Sequence, residues 1–219
     1  EIDRIDPFAD IRTLDFAEGL ASGMIAYIGE DTVERYLAAI SAASLLPEDV
    51  SRSASIVYTP LNGTGISCVP RCLRAHGFAN ITIPPEQAEP DGNFPTCPYP
   101  NPEIREALSV GRRLAEETGS ELLLATDPDC DRVGAAVKTA EGYRLITGNE
   151  MGVLLLDFVC RMRRANGTMP ECPVAVKTIV TTPMSEKIAA HYGVELRNVL
   201  TGFKYIGEQI GLLEKDGEA

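Results

Sequence analysis

The sequence predicts an α/β protein made of two consecutive three-layer α/β/α modules, each with a mixed sheet. Short runs rich in β-branched residues alternate with helical patterns along the chain, and glycine turns join several of them. Alternating strands and helices are typical of a sheet that is covered by helices. The run ELLLAT at 121–126 is apolar almost throughout, which favours a strand buried on both faces because a half-buried strand would alternate.

The first module begins with a helical pattern from Asp31, where apolar residues recur at the spacing of one helix face. A strand, a glycine turn, a helix and a second strand follow, which together predict a βαβ unit. The proline-rich segment 84–102 is expected to be a loop, since proline lacks the N–H that helices and strands use. The predicted elements are a helix at 31–43, a strand at 53–59, a turn at 60–65, a helix to about His76, a strand at 78–83, a helix at 102–118, a strand at 121–126 and antiparallel strands at 133–138 and 143–147.

The second module repeats the alternation of helices and strands. Its predicted elements are a helix at 149–164, a strand at 173–180, a helix at 183–191, a strand at 194–199 and a last helix from about Phe203. We therefore expect a lead-in over 1–30, a first module over 31–147 and a second module over 148–219.

The charge of the chain argues against a nucleic-acid partner. Acidic residues number 32 against 20 basic ones, which gives a formal net charge of −12. Binding to a phosphate backbone needs clustered Lys and Arg, and only RMRR at 161–164 comes close. That cluster follows an apolar helical pattern, where cations suit the end of a helix.

The cysteine pattern and the hydropathy favour a cytoplasmic protein. The six cysteines form no C-x-x-C pair, and two histidines offer little to a zinc site. The longest apolar run, 151–159, contains Asp157 and is shorter than the roughly 20 residues of a membrane span. The first residues, EIDRID, form no signal segment and carry no starting Met, so we expect a piece of a longer protein without a membrane partner.

The stretch TDPDCDR at 126–132 is the strongest candidate site. Asp127, Asp129 and Asp131 follow a buried strand at its carboxyl end, where open α/β sheets bind ligands. In an extended segment the three carboxylates share one face within about 13 Å of chain, at roughly 3.3 Å per residue, and Pro128 excludes a helix. Carboxylates without nearby His or paired Cys favour a hard divalent cation, Mg²⁺ before Ca²⁺ or Mn²⁺. A solvated acidic turn is the alternative.

Three residues in or near this cluster help to decide which ion or ligand it binds. Arg132 and Lys138 stand where an EF-hand loop needs Gly and a bidentate Glu, so that calcium loop is excluded. Three carboxylates would leave Mg²⁺ with open positions for a phosphate oxygen, and Arg132 is expected to balance the charge that the phosphate adds or to bind that phosphate. Cys130 is expected to be a filler, because thiolate is too soft a ligand for Mg²⁺.

Other polar candidates lie in both modules. Lys204 follows the Thr201-Gly202 turn at a helix start, where backbone N–H groups favour anions. Lys177 lies within a strand and either reaches a substrate cleft or extends to solvent. The NGTG sequence at 62–65 lacks the Lys of a P-loop and the third Gly of a dinucleotide site, so we interpret it as turn and packing geometry.

DPDCDR is similar to the metal loop D-x-D-x-D-R of the α-D-phosphohexomutases, the phosphoglucomutase and phosphomannomutase enzymes. Asn62 stands where many relatives carry His. The resemblance extends, in the order expected for the phosphoglucomutase-type branch, through ASGMIAYIGED at 21–31, YTPLNGTG at 58–65, EPDGNFP at 89–95, GNEMG at 148–152, VKTIVTT at 176–182 and LTGFKYIG at 200–207.

The resemblance implies a four-domain, Mg²⁺-dependent enzyme that moves a phosphoryl group between O1 and O6 of a hexose phosphate. The reaction would pass through a phosphoserine and a sugar bisphosphate, with an activator of the glucose 1,6-bisphosphate type. This chain would be the second domain and most of the third, with domains I and IV of the same polypeptide as its partners. The implied roles are Mg²⁺ binding by Asp127, Asp129 and Asp131, phosphosugar and phosphoserine contact by Arg132 with Asp131, and sugar recognition by the loop Thr201, Gly202, Phe203 and Lys204.

Two family motifs do not occur in these 219 residues: the catalytic TASHNP-type serine loop and the sugar-binding GEES loop. We therefore expect no mutase turnover by this chain alone. A phosphopentomutase of the same family is the alternative enzyme. A non-catalytic module that binds a cation or a phosphosugar is the alternative from a different class.

Overall fold

The computed structural model describes residues 2–6 and 8–216, which divide into two compact units between Ala42 and Ala43. The first unit contains a 3-10 turn and two helices, α1 (Phe16–Ala21) and α2 (Glu30–Ala42). Helix α1 begins at an N-cap aspartate, Asp15, whose carboxylate accepts hydrogen bonds from the Ala17 and Glu18 amides. Helix α2 confirms the helical pattern predicted from Asp31.

The second unit contains a mixed five-stranded sheet with the order β2-β1-β3-β4-β5. The first three strands are parallel, and β4 and β5 add to them as an antiparallel hairpin. The predicted α/β fold with a mixed sheet is therefore confirmed. The strands are β1 (Ile56–Thr59), β2 (Ile81–Thr82), β3 (Leu122–Thr126), β4 (Val133–Thr139) and β5 (Gly142–Ile146).

Three helices accompany this sheet: α3 (Val69–Ala75), α4 (Pro85–Ala88) and α5 (Ser109–Thr118). Helix α5 lies close against the sheet, since a Cβ at Gly111 would sit 2.8 Å from a methyl of Leu123. The core lies between the sheet, α5 and the segment before α5, and its buried apolar side chains stabilise these layers through the hydrophobic effect. Its buried members are Val57, Leu61, Cys97, Ala107, Leu108, Ala115, Leu123, Ala125 and Ala136.

Several sequence-based predictions for this region are wrong in their limits. The strand predicted at 78–83 covers only Ile81–Thr82, and the strand predicted at 53–59 begins at Ile56. The helix predicted at 102–118 begins only at Ser109. The residues before it form turns, in which the Ile104 amide donates to the Asn101 carbonyl (3.2 Å), and Pro102 is fully buried with its carbonyl against Gly134 of β4. The segment predicted as an irregular loop contains α4, whose first residue is a proline at a position where no N–H is needed.

A second, two-stranded parallel sheet follows in the same unit. Its elements are α6 (Gly148–Ala165), β6 (Val174–Thr178), α7 (Met184–Tyr192), β7 (Glu195–Val199) and α8 (Phe203–Asp216), in the predicted order. Cys160, Ala189 and Val194 form its buried cluster. Among the described residues, every helix is too short or too polar to span a lipid bilayer. The domain boundaries at 30/31 and 147/148 stay predictions.

Candidate metal centre

The three aspartates lie in a turn after β3, which we call the Asp turn (Asp127–Arg132). The Cys130 amide donates to the Asp127 carbonyl (3.0 Å), and Cys130 has a left-handed φ of 62°. The predicted extended conformation is therefore wrong, because the chain curls back around Asp127. The turn still gathers the carboxylates, since one oxygen from each of Asp127, Asp129 and Asp131 lies within 4.8 Å of the others.

Arg132 closes the turn on Asp127. Its backbone N–H donates to Oδ1 (2.9 Å) and its Nε–H to Oδ2 (2.7 Å) of the Asp127 carboxylate. Asp127 is fully buried, whereas the Arg132 and Asp131 side chains are 51% and 71% exposed. The two terminal amino groups of the guanidinium take no part in these bonds to Asp127.

The pKa values of Asp127 and Asp131 are shifted because one guanidinium, that of Arg132, lies among three carboxylates. Burial alone would raise the pKa of Asp127, but the hydrogen bonds from Arg132 hold it below its ordinary value. The pKa of Asp131 is raised, first by its hydrogen bond with Asp127 and then by repulsion from Asp129 and Asp127. Arg132 balances only part of the negative charge, so an added cation would lower the repulsion.

The donor set fits Mg²⁺. All three side chains supply hard oxygen ligands, and opposite oxygens of an octahedral Mg²⁺ lie roughly 4.2 Å apart for Mg–O distances near 2.1 Å. The small difference from 4.8 Å can be closed by rotation of the exposed Asp129 and Asp131 side chains. Each oxygen of Asp127 that accepts from Arg132 keeps a second lone pair for a cation.

The turn after β1, residues 60–65, supports the Asp turn; we call it the glycine turn. Leu61 and Asn62 both have left-handed φ values, 50° and 57°. The Asn62 amide group donates to the carbonyls of Glu86 (3.2 Å) and Glu89 (2.9 Å). The sequence suggested only a structural turn here. Its link to the site was foreseeable, because neighbouring parallel strands end at the same edge of a sheet.

Beneath both turns lies a buried hydrogen bond between the hydroxyls of Tyr58 and Thr126 (2.9 Å). Burial raises the pKa of Tyr58 to about 12, so this hydroxyl stays protonated and neutral at physiological pH.

The remaining candidate residues lie in or next to the elements of the second sheet. Thr201 and Gly202 precede α8, and Lys204 lies in its first turn with Nζ 4.8 Å from the centre of the Tyr205 ring. Lys177 Nζ donates to the Thr181 carbonyl (3.1 Å) and so folds over the end of β6. No hydrogen bond or ion pair of the described residues joins this group to the Asp turn.

Two family models match the chain. The model of phosphoglucomutase/phosphomannomutase alpha/beta/alpha domain II matches residues 34–142, and that of domain III matches residues 147–214. Together they cover most of the chain, and the first includes the Asp turn and the glycine turn.

Individual proteins agree with the family models. A phosphoglucomutase of Staphylococcus saprophyticus is 34% identical over 99% of this chain, and a phosphoribomutase of Saccharomyces cerevisiae is 33% identical over 97%. The chain spans 39% and 37% of those relatives. A phosphoglucomutase/phosphomannomutase family protein of Burkholderia thailandensis has the same fold, with a TM-score of 0.66, 21% identity and coverage of 92% of this chain and 40% of that one. The chain therefore belongs to the α-D-phosphohexomutase family and comprises sequence of its domains II and III.

Proposed function

We propose that this chain is the metal-binding and sugar-recognition part of a mutase that interconverts hexose 1-phosphate and hexose 6-phosphate. The reaction would use a phosphoserine and a sugar bisphosphate. One observation carries the proposal: three carboxylate oxygens converge within 4.8 Å at the carboxyl end of β3, beside Arg132. Membership of the family supports it.

Asp127, Asp129 and Asp131 would hold Mg²⁺. The bound ion would withdraw charge from the phosphate that is transferred, which lowers the barrier because phosphoryl transfer depends mainly on positioning and charge neutralisation. Asp127 orients the Arg132 guanidinium through Nε, so that its terminal amino groups can bind a phosphate oxygen.

The second sheet would contribute sugar recognition. Thr201 and Gly202 lie before α8, and Lys204 adds a positive charge in the first turn of that helix, where N–H groups also attract anions. Lys177 is a weaker candidate for sugar recognition, because its ammonium group already donates a hydrogen bond to a backbone carbonyl.

The rest of the site would come from domains I and IV of the same cytoplasmic polypeptide. They would supply the phosphoserine and the further phosphate contacts, and a glucose 1,6-bisphosphate-type activator would maintain the phosphorylated serine. A TASHNP-type serine loop and a GEES loop do not occur in these 219 residues. We therefore propose that the chain alone binds Mg²⁺ weakly and does not turn over.

A phosphopentomutase is the second candidate. One specific observation favours it, the 33% identity to a phosphoribomutase over 97% of this chain. The carboxylates and Arg132 would act in the same way on either sugar, since they address the phosphate and the metal.

Two measurements test the proposal. Calorimetric titration with Mg²⁺ should show binding by the chain, and Asp129→Asn should abolish it. The chain should not convert glucose, mannose or ribose 1-phosphate, whereas a longer polypeptide that contains it should convert at least one. Turnover by the chain alone would contradict the proposed division of labour. Mg²⁺ binding without turnover by the longer polypeptide would instead indicate a non-catalytic binding module.

A further inference from the structure

We infer that Thr64 is a positioning residue that holds the Asp turn in the conformation that gathers its carboxylates. The Thr64 backbone N–H and its Oγ1–H both donate to the carbonyl oxygen of Pro128, at 2.9 and 3.0 Å. Pro128 lies between Asp127 and Asp129, so this carbonyl is part of the backbone that connects two proposed ligands. The inference rests on the proposed function of the Asp turn.

The sheet brings the two turns together. Strands β1 and β3 are parallel neighbours, with Thr59 opposite Ala125, so the glycine turn and the Asp turn leave the sheet side by side. The approach is close enough that a Cβ at Gly63 would overlap the Pro128 backbone. A Cβ at Gly65 would lie 2.6 Å from Thr126 Oγ1 and 3.1 Å from Cys130 Sγ. Backbone therefore packs directly on backbone where Thr64 donates.

The glycine turn is itself fixed from the other side by buried polar groups. The Thr59 hydroxyl donates to the Gln87 side chain (2.7 Å) and accepts from the Leu61 amide (3.1 Å). Asn62 donates to two carbonyls of the segment around α4. Because buried and fully bonded polar groups resist displacement, Thr64 presents its donors from a rigid base.

The hydrogen bonds from Thr64 restrict a part of the Asp turn that hydrogen bonds within the turn do not fix, the backbone that leads into Asp129. Within the turn, hydrogen bonds tie Asp127 to Cys130 and Arg132, while Asp129 is exposed. Anchoring the Pro128 carbonyl limits rotation of the peptide that leads into Asp129, and so limits where that carboxylate can lie. Groups that orient metal ligands in this way typically change metal affinity by about 10- to 100-fold when they are removed.

Mn²⁺ binding to the chain tests the inference, since free Mn²⁺ is measured directly by electron paramagnetic resonance. Thr64→Val keeps nearly the same side-chain shape at an exposed position and removes the hydroxyl donor, while the backbone N–H retains its bond to Pro128. We expect it to raise the Kd for Mn²⁺ about 10-fold. Thr64→Ser restores the donor and should restore the affinity. The control is Thr139→Val at another exposed threonine, which removes the bond that the hydroxyl donates to the Gly142 carbonyl and the bond that it accepts from the Glu141 amide, both in the β4–β5 hairpin.

A second readout needs no metal. The amide N–H groups of Cys130 and Arg132 are bonded to Asp127, so their hydrogen exchange reports whether the Asp turn is held. Thr64→Val should accelerate this exchange in the metal-free chain, with little change in the thermal midpoint, while Thr139→Val should leave it unchanged.

The outcomes separate the two hypotheses. If the wild-type chain binds Mn²⁺ and Asp129→Asn does not, the metal loop is supported; an unchanged Kd for Thr64→Val would then overturn the positioning role alone. A lower thermal midpoint with an unchanged Kd would overturn it as well, because it would show a purely structural role. A wild-type chain that takes up no Mn²⁺ would contradict the proposed metal loop and the role of Thr64 together.

Discussion

At the scale of single residues, the three aspartates differ in their burial and in their contribution to the stability of the fold. The Asp127 carboxylate is fully buried and accepts two hydrogen bonds from Arg132, whereas Asp129 and Asp131 are exposed. When a buried carboxylate loses its charge, the donors bonded to it are left poorly satisfied. At an exposed position, water can accept the hydrogen bonds instead. Asp127 is therefore both a proposed metal ligand of the Asp turn and a residue that stabilises the fold.

We expect Asp127→Asn to lower the free energy of unfolding by about 1–3 kcal/mol in metal-free buffer. Asp129→Asn should change it by less than about 0.5 kcal/mol, because it alters an exposed residue outside these bonds. Asp127→Asn should weaken Mg²⁺ binding, and Asp129→Asn should abolish it. Urea denaturation with a chelator present measures the first effect and calorimetry the second. Equal stability of the two variants would show that the Arg132 bonds to Asp127 contribute nothing to folding.

The sequence predicted which residues gather at this site but not how the backbone gathers them. Carboxylates at 127, 129 and 131 after an apolar strand indicated a cation site from residue types alone. The turn depends on a left-handed φ at Cys130, and the glycine turn depends on the same conformation at Leu61 and Asn62. Leu and Cys show no preference for that conformation, so tertiary contacts impose it and a single sequence does not reveal it.

At the scale of elements, the glycine turn contains a position, Gly63, where glycine is needed because a neighbouring segment leaves no room for a side chain. Its backbone conformation does not require glycine. Gly63 has an extended conformation that any residue can adopt, with φ of −113°. Only the nearness of the Pro128 backbone excludes a side chain there. Gly63→Ala should therefore destabilise the fold by about 1–3 kcal/mol through overpacking, and should weaken Mn²⁺ binding by displacing the Asp turn.

Gly92→Ala is the matched control for this change, since no atom lies within 4 Å of a Cβ at Gly92. Its thermal midpoint and Mn²⁺ affinity should match those of the wild-type chain. If Gly63→Ala behaves like Gly92→Ala, the two turns separate in solution and the close contact between them is not maintained.

Helix α6 begins with a capping box, in which Thr147 and Glu150 satisfy each other's backbone N–H groups. The pKa of Glu150 is lowered by the hydrogen bond from the Thr147 amide and then by the bond from Arg144. A folded-state pKa below the unfolded one stabilises the fold above the unfolded value, about 4.3 for glutamate. That contribution is lost as the pH falls through the lower, folded-state pKa.

Glu150→Gln should therefore lower the thermal midpoint at pH 7, and the difference from the wild-type chain should shrink below about pH 4. Thermal denaturation between pH 7 and pH 3 measures this trend. Glu117→Gln corrects for the loss of one negative charge, because Glu117 is an exposed helical glutamate that also lies near an arginine, Arg113 (4.0 Å), but caps no helix. A difference that stays constant across this range would mean that the ionised carboxylate does not stabilise the helix start.

The lengths of elements were harder to predict than their order. The alternation of apolar runs and glycine turns predicted the succession of strands and helices because those patterns are local. The start of α5 depends on tertiary packing instead, since Pro102 is fully buried and its carbonyl lies against Gly134 of β4. A contact between residues this far apart in the chain leaves no local signal, so the helical pattern from Pro102 placed the start of the helix too early.

At the scale of the whole molecule, the two sheets have unequal cores. Strand β3 supplies fully buried Leu123 and Ala125 to the larger core, and β1 supplies Val57. Every residue of β6 is only half-buried, and the second cluster is built on the small side chains of Cys160 and Ala189 with Val194. Since hydrophobic stabilisation grows with buried apolar area, the second sheet is less stabilised by its own packing.

We therefore expect the second sheet to open more readily than the first. Local opening has a lower free energy where few apolar groups are buried, so amides of β6 should exchange with solvent at least about tenfold faster than those of β3. Hydrogen exchange of the intact chain, followed by mass spectrometry of peptides covering 122–126 and 174–178, measures both strands in one sample. Low denaturant concentrations distinguish local from global opening, because only global opening accelerates steeply with denaturant. If both strands exchange at the same rate with the same denaturant dependence, the unequal cores do not produce separate opening, and the two sheets unfold as one cooperative unit.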